Sequence, residues 1–286
     1  MIKIMTIIQG VILGILQGIA EFLPISSSGH LAVAQNLLGL QDVPLLFDVF
    51  LHVATLAAVI LFFRRQVWEL LCALGRWITR RPLSDKIRGS SGLTCTDEAA
   101  RKTVTAIILA TVVTGVIGVV VEKKLSELPI KAVCGGFVFT AVILIVSSLI
   151  EKKAEQKGNI PSEGISWKQS LVIGLAQGVG TLPGISRSGS TIAGGLLSGV
   201  NRADAGEFSF IVSIPAIIGA FILELKDLGS VSSEIGAAPV IAGCITAFVV
   251  GYASLTWLMR IIRKGKLEWF ACYLIPAGIL GMIFLK

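Results

Sequence analysis

The chain has 286 residues, 54% of them hydrophobic and 15% charged, with a net charge of +7. Soluble domains average about 25% charged residues, so the composition excludes an ordinary soluble enzyme and points to lipid. The positive balance reads as basic anchoring of cytoplasmic loops rather than a nucleic-acid surface. Five scattered cysteines without metal-ligand spacing imply neither a disulfide framework nor a zinc site.

Eight apolar runs follow one another at 4–24, 43–63, 104–121, 130–150, 170–183, 208–223, 238–259 and 269–285, a crossing needing about 20 residues. The first could pass for a signal-peptide core. No small-residue cleavage site follows it, however, and the sequence beyond it is echoed later, so it is expected in the mature protein. The second carries Asp48 and His52 one turn apart, read as a local pair near the outer membrane end that supports the site. Between 64 and 102 stand nine Lys/Arg (Arg64, Arg65, Arg76, Arg80, Arg81, Lys86, Arg88, Arg101, Lys102), which place that stretch in the cytoplasm. Runs 104–121 and 130–150 then exit and return. If 170–183 crossed, Arg260, Arg263, Lys264 and Lys266 would lie outside, and Glu224, Asp227 and Glu234, against one Lys226, inside. Both placements break the positive-inside rule. Letting 170–200 dip in and return on the same side repairs both. Glu207, beside Arg202 and Asp204, reads as interfacial.

An internal echo supports this. At a fixed offset of 160, QGIAEFLPISSSGHL (17–31) lies over QGVGTLPGISRSGST (177–191). Gln17/Gln177, Gly18/Gly178, Ile25/Ile185, Ser26/Ser186, Ser28/Ser188 and Gly29/Gly189 are identical. The fold predicted is an all-α polytopic membrane protein with six transmembrane helices plus two re-entrant helical hairpins in an inverted repeat. It forms one membrane domain, 1–286. One half, about 1–150, holds hairpin 4–40 and three spans; the other, 165–286, holds hairpin 170–200 and three spans. Three crossings separate the hairpins, so their tips can meet near the membrane centre, as in many transporters. Pro24 and Pro183-Gly184 end the first half-helices, serines cap the second, and two helix N-termini facing each other make an anion site.

Chemistry is expected where the copies differ: Glu21 faces Thr181, Ser27 faces Arg187, and His30 faces Ser190. Arg187 suits phosphate oxygens and developing charge. Ser27 and His30, three apart, allow an imidazole to activate a hydroxyl, although a serine beside a proline is more often only a cap. Gln17 and Glu21, four apart on one helix face, present two oxygen ligands suited to Mg²⁺ or Ca²⁺. Glu21 and Arg187 could also simply neutralise each other, but ionisable groups inside a membrane read as functional by default. The nucleophile stays open between Ser27, His30 and water. The rival to an enzyme is a transporter or flippase of an anionic lipid, which needs the anion site but no nucleophile; under the resemblance below that lipid is a polyprenyl one.

QGIAEFLPISSSGH and PGISRSGST, with FDVFLHVATLAAV (47–59) and EFSFIVSIPAIIGA (207–220), resemble the undecaprenyl pyrophosphate phosphatase family linked to bacitracin resistance. The resemblance covers essentially the whole chain. It implies removal of the terminal phosphate from a C55 polyprenyl diphosphate, a multi-pass protein of the bacterial cytoplasmic (inner) membrane, a divalent cation, and a site open to the periplasm. Gln17 and Glu21 match the family's (Glu/Gln)-x-x-x-Glu motif, with glutamine in the variable place. Ser27, His30 and Arg187 match its serine, histidine and arginine, and Ser186, Ser188 and Thr191 its phosphate-loop hydroxyls, which Ser26 and Ser28 join through the internal echo. The expected partners are the polyprenyl diphosphate and membrane lipids, with no nucleic acid; a homodimer is one open state of assembly.

Overall fold

The computed structural model describes residues 5–40, 45–83, 89–125, 128–155, 163–225 and 236–285, without the side chains of 121–125 and 153–155. These residues form helices and no strand. In chain order they are α1 (Ile7–Ala20), α2 (Ser27–Leu37), α3 (Leu45–Phe62), α4 (Arg64–Ile78), α5 (Asp97–Leu125) and α6 (Ile130–Glu155). Then come α7 (Trp167–Val179), α8 (Arg187–Leu197), α9 (Arg202–Glu224), α10 (Ala237–Arg263), a 3₁₀ turn (Leu267–Phe270) and α11 (Ala271–Phe284). Lys86, Arg88, Lys226, Asp227 and Glu234, used above to orient the chain, lie outside the described residues, as do the first residues of run 43–63.

Among the described residues, six segments are long and apolar enough to cross a bilayer: Leu45–Phe62, Asp97–Val120, Ile130–Lys152, Arg202–Glu224, Ala237–Arg263 and Leu267–Phe284. The chain is a multi-pass membrane protein. The other membrane-depth candidates are short. α1 has 14 residues and α7 13, while α2 and α8 have 11 each. At 1.5 Å per residue these rise about 16–21 Å, against a hydrocarbon core of about 30 Å.

The two short pairs form for the same local reasons. Thr6 and Gln9 build a capping box before α1, and Ser166 and Gln169 build one before α7; such boxes satisfy helix-start N–H groups reciprocally. One face of α1 is small (Gly10, Gly14, Gly18) and lies against the backbone of Pro239, Gly243 and Gly251 in α10. A methyl on Gly14 would collide with the Gly243 carbonyl. The matching face of α7 (Ser170, Gly174, Gly178) lies along α5: Ser170 Oγ donates to Ala106 O at 2.6 Å, and Thr114 Oγ1 donates to Gly174 O at 3.1 Å. In lipid, such small residues let backbones approach and van der Waals packing replace the hydrophobic effect.

Contacts exchange between halves. α1 packs on α10 as α7 packs on α5; α3 packs on α10 as α9 packs on α5; α3 meets α9, and α6 meets α11. The basic stretch after α3 is more structured than its charge suggested. α4 forms there, and residues 89–97 fold back on it: Glu69 accepts from Ser90 N and from Thr94 Oγ1, and Arg76 pairs with Asp97. Glu207 is buried and accepts from Ser91 Oγ at 2.6 Å, so it faces this folded-back segment.

Candidate active site

Each short pair breaks where its sequence forbids a continuous helix. After α1 the Glu21 N–H still reaches Gln17 O, Pro24 lacks the N–H that would continue the ladder, and Ile25 N closes a tight turn on Leu23 O at 2.7 Å. Ser26 Oγ then accepts from Gly29 N at 3.3 Å and starts α2. After α7, Gly184 turns at φ 89°, pressed on Val133 backbone where no Cβ fits. Ser186 Oγ accepts from Gly189 N at 3.1 Å and starts α8. The capping hydroxyls sit beside their partners in both copies: Ser26 Oγ to Ser28 Oγ 3.5 Å, Ser186 Oγ to Ser188 Oγ 3.2 Å.

The two helix starts face a common cavity of about 160 Å³. Its walls include Glu21, Ser27 and Ser28 from the first turn, Thr181, Ser186, Arg187 and Ser188 from the second, and His52 and Ile217 from α3 and α9. Glu21 is the hub. Its Oε1 accepts from Arg187 Nη2. Its Oε2 accepts from Ser27 Oγ at 2.6 Å and from Gln17 Nε2 at 3.1 Å, and lies 3.3 Å from His52 Nε2. Arg187 Nη1 is buried without a partner. A hydroxyl bonded to a carboxylate is a nucleophile and base in reach of each other, and an unfilled guanidinium donor beside them suits an incoming anion.

The structure thus brings Glu21, Ser27, Ser28, Ser186, Arg187 and Ser188 to one cavity. It places the others differently. Gln17 is fully buried behind Glu21, and Ser26 is buried as a cap. Thr191 Oγ1 donates to Arg187 O and accepts from Ser209 Oγ at 2.8 Å, bracing the start of α8. His30 does not bond Ser27: its Nδ1 meets Ser26 O at 2.8 Å, its Nε2 meets Tyr273 OH at 2.7 Å, and its ring stacks on Phe137. The three-residue spacing put both side chains on one turn but did not fix which way the ring points. His52, in contrast, enters the cavity, and it bonds the backbone O of Asp48 rather than its carboxylate, which accepts from Gln35. An imidazole inside an apolar run was the signal available; the fold supplied its partner.

The donor set leaves a resident calcium ion short of oxygens. Gln17 turns its amide N–H₂ to Glu21, both carboxylate oxygens already accept from donors, and Gln17 Oε1, buried without a partner, is the one spare oxygen. Calcium takes six to eight oxygens, and no group of three His, Cys, Asp or Glu suited to a metal occurs among the described residues.

Fold and site together define a multi-pass helical membrane protein whose serine, arginine and buried carboxylate meet where two short helix pairs converge. The chain belongs to the family of the bacitracin resistance protein BacA, which it matches over residues 10–280. It is 45% identical over 275 residues to an undecaprenyl-diphosphatase of Treponema denticola, covering 96% of both chains. It is 38% identical over 278 residues to one of Methanobrevibacter smithii, again 96% of both. It is 39% identical over 280 residues to one of Desulfatibacillum aliphaticivorans, covering 96% of this chain and 97% of that one.

Proposed function

We propose that the chain hydrolyses undecaprenyl diphosphate to the monophosphate and phosphate, recycling the cell-wall lipid carrier at the bacterial cytoplasmic membrane. The named activity of its relatives supports this. The observation that carries it is the Ser27 hydroxyl bonded to Glu21 in the same cavity as Arg187. A lipid carrier protein needs an anion site, but it has no use for an activated hydroxyl.

In this reading Arg187 leaves Glu21 Oε1 for the terminal phosphate, its buried Nη1 finding a partner there. Ser27 Oγ attacks phosphorus and its proton passes to Glu21 Oε2; the Oγ–P bond forms as the anhydride P–O bond breaks, and the prenyl monophosphate leaves. Glu21 passes that proton to the leaving monophosphate and is again a base; water then gives it a proton as its oxygen bonds phosphorus, the Oγ–P bond breaks, and Ser27 Oγ takes the proton back as phosphate leaves. The N-terminal N–H groups of α2 and α8, with Ser28, Ser186 and Ser188, stabilise the oxyanion charge. His30 holds the turn rather than the proton.

The two short pairs act as re-entrant hairpins of an inverted repeat. Their lengths, their matching caps at an offset of 160 and the exchanged helix contacts support this. Single cysteines at Lys168 and Leu197, in a cysteine-free background, should then react with an impermeant thiol reagent from one side of the membrane. Reaction from opposite sides overturns the hairpin. The activity itself is tested by phosphate release from a polyprenyl diphosphate in detergent, where no transport can occur. Binding without release leaves the carrier reading.

A further inference from the structure

The chain has two histidines, and hydrogen-bond logic gives them different work. A carbonyl oxygen only accepts, so the nitrogen facing it carries hydrogen. His30 Nδ1 therefore donates to Ser26 O, and its Nε2 accepts from the Tyr273 hydroxyl. A neutral ring satisfies both contacts. His52 Nδ1 likewise donates, to Asp48 O at 2.7 Å. Its Nε2, however, faces Glu21 Oε2 at 3.3 Å, and a carboxylate oxygen only accepts. A bare nitrogen lone pair there would repel the anion, so Nε2 carries hydrogen as well. The charged groups facing this ring are Glu21 from the first turn, Arg187 behind Glu21 from α8, and Asp48 on its own helix, whose carboxylate is held by Gln35.

We propose that His52 is a positioning residue of the reaction: a cationic imidazole, held by Asp48 O, that donates Nε2–H to Glu21 and keeps its Oε2 ionised and aligned on Ser27. Its importance comes from Arg187. Once that guanidinium turns to phosphate, Glu21 loses its partner on Oε1, and Gln17 and His52 are what remain to hold it. His52 keeps both its hydrogens throughout, while the proton of Ser27 passes through Glu21 to the leaving monophosphate. The partly exposed ring also turns one positive charge to the cavity that receives the diphosphate. This rests on the proposed roles of Ser27 and Glu21.

The first test is kinetic. His52→Leu should lower kcat about 10²-fold, the scale of a misplaced catalytic group, with KM changed less than about threefold, because Arg187 still binds. His52→Gln restores a donor of similar reach and should recover to within about tenfold of wild type. The second test needs no turnover. In detergent-solubilised protein labelled with ¹⁵N-histidine, one ring should carry hydrogen on both nitrogens and the other on Nδ1 alone. Glu21→Gln should shift the first and leave the second. Wild-type kcat in His52→Leu, equal loss in the Leu and Gln variants, or an Nε2 without hydrogen overturns the proposal. If His52→Leu does not fold, His52→Gln and the spectra decide. Turnover in Ser27→Ala would instead sink the phosphoserine chemistry and leave the spectral result standing.

Discussion

Ser26 and Ser186 do the same capping job from opposite sides of the Ramachandran map: Ser26 sits at φ 72°, Ser186 at φ −77°. A non-glycine residue in the left-handed region costs about 1–3 kcal/mol and persists only where its surroundings hold it. At Ser26 the holders are its own cap to Gly29 and the His30 ring on its carbonyl. This conformation aims the next residue, Ser27, at Glu21. Ser26→Gly gives up the cap but relieves the backbone, and a glycine cap costs only a few tenths of a kcal/mol. Its melting temperature should therefore stay close to wild type. Ser26→Ala loses the cap, about 1 kcal/mol, and keeps the strain, so it should melt measurably lower.

The serines of ISSSG should separate by rate. Ser27→Ala removes the group that forms the covalent bond and should abolish phosphate release while substrate still binds. Ser28→Ala removes one donor and should be slower by about 10²–10³ at most. Single-turnover kinetics with ³²P-labelled diphosphate read this directly, with melts to exclude unfolding.

Glu21→Gln keeps the shape of the hub but cannot accept a proton. A general base typically contributes about 10²–10⁴ in rate, and kcat should fall by that order. Arg187→Lys should fail in KM as well as kcat, because an ammonium cannot replace a two-pronged fork.

Titrating Mg²⁺ or Ca²⁺ into substrate-free protein should show no site tighter than about 10⁻⁴ M, the range of weak calcium modules. The reason is that Glu21 is already ringed by donors. A stoichiometric micromolar site, lost in Glu21→Gln, would refute this.

Close packing makes its own prediction. Gly14→Val puts a side chain into the Gly243 backbone, and Gly174→Val does the same at Ala110. Overpacking costs about 1–3 kcal/mol where side chains can shift, and backbone yields less, so both variants should melt well below wild type. Gly219→Ala meets nothing within 4 Å and should melt as wild type does.

Much of this was legible in one dimension. Membrane spans announce themselves because a bilayer demands about 20 apolar residues in a row, and the six long apolar helices among the described residues stand where the apolar runs stood. Prolines and capping serines marked the breaks at 21–26 and 180–186, since their effect is local. The offset of 160 singled out Glu21, Ser27 and Arg187 as the places where two like turns differ. Side-chain direction was different. Spacing alone paired Ser27 with His30 and His52 with Asp48, because sequence reports only neighbours along a helix. Ser27 instead meets Glu21 across a turn, His30 meets Tyr273, and His52 meets Glu21 from another helix. Those partners are set by where α3 and α11 pack, at sequence separations that no local pattern encodes. The sequence by itself determined the class of protein, its spans and the residues worth watching; tertiary packing alone decided which of two histidines serves the carboxylate.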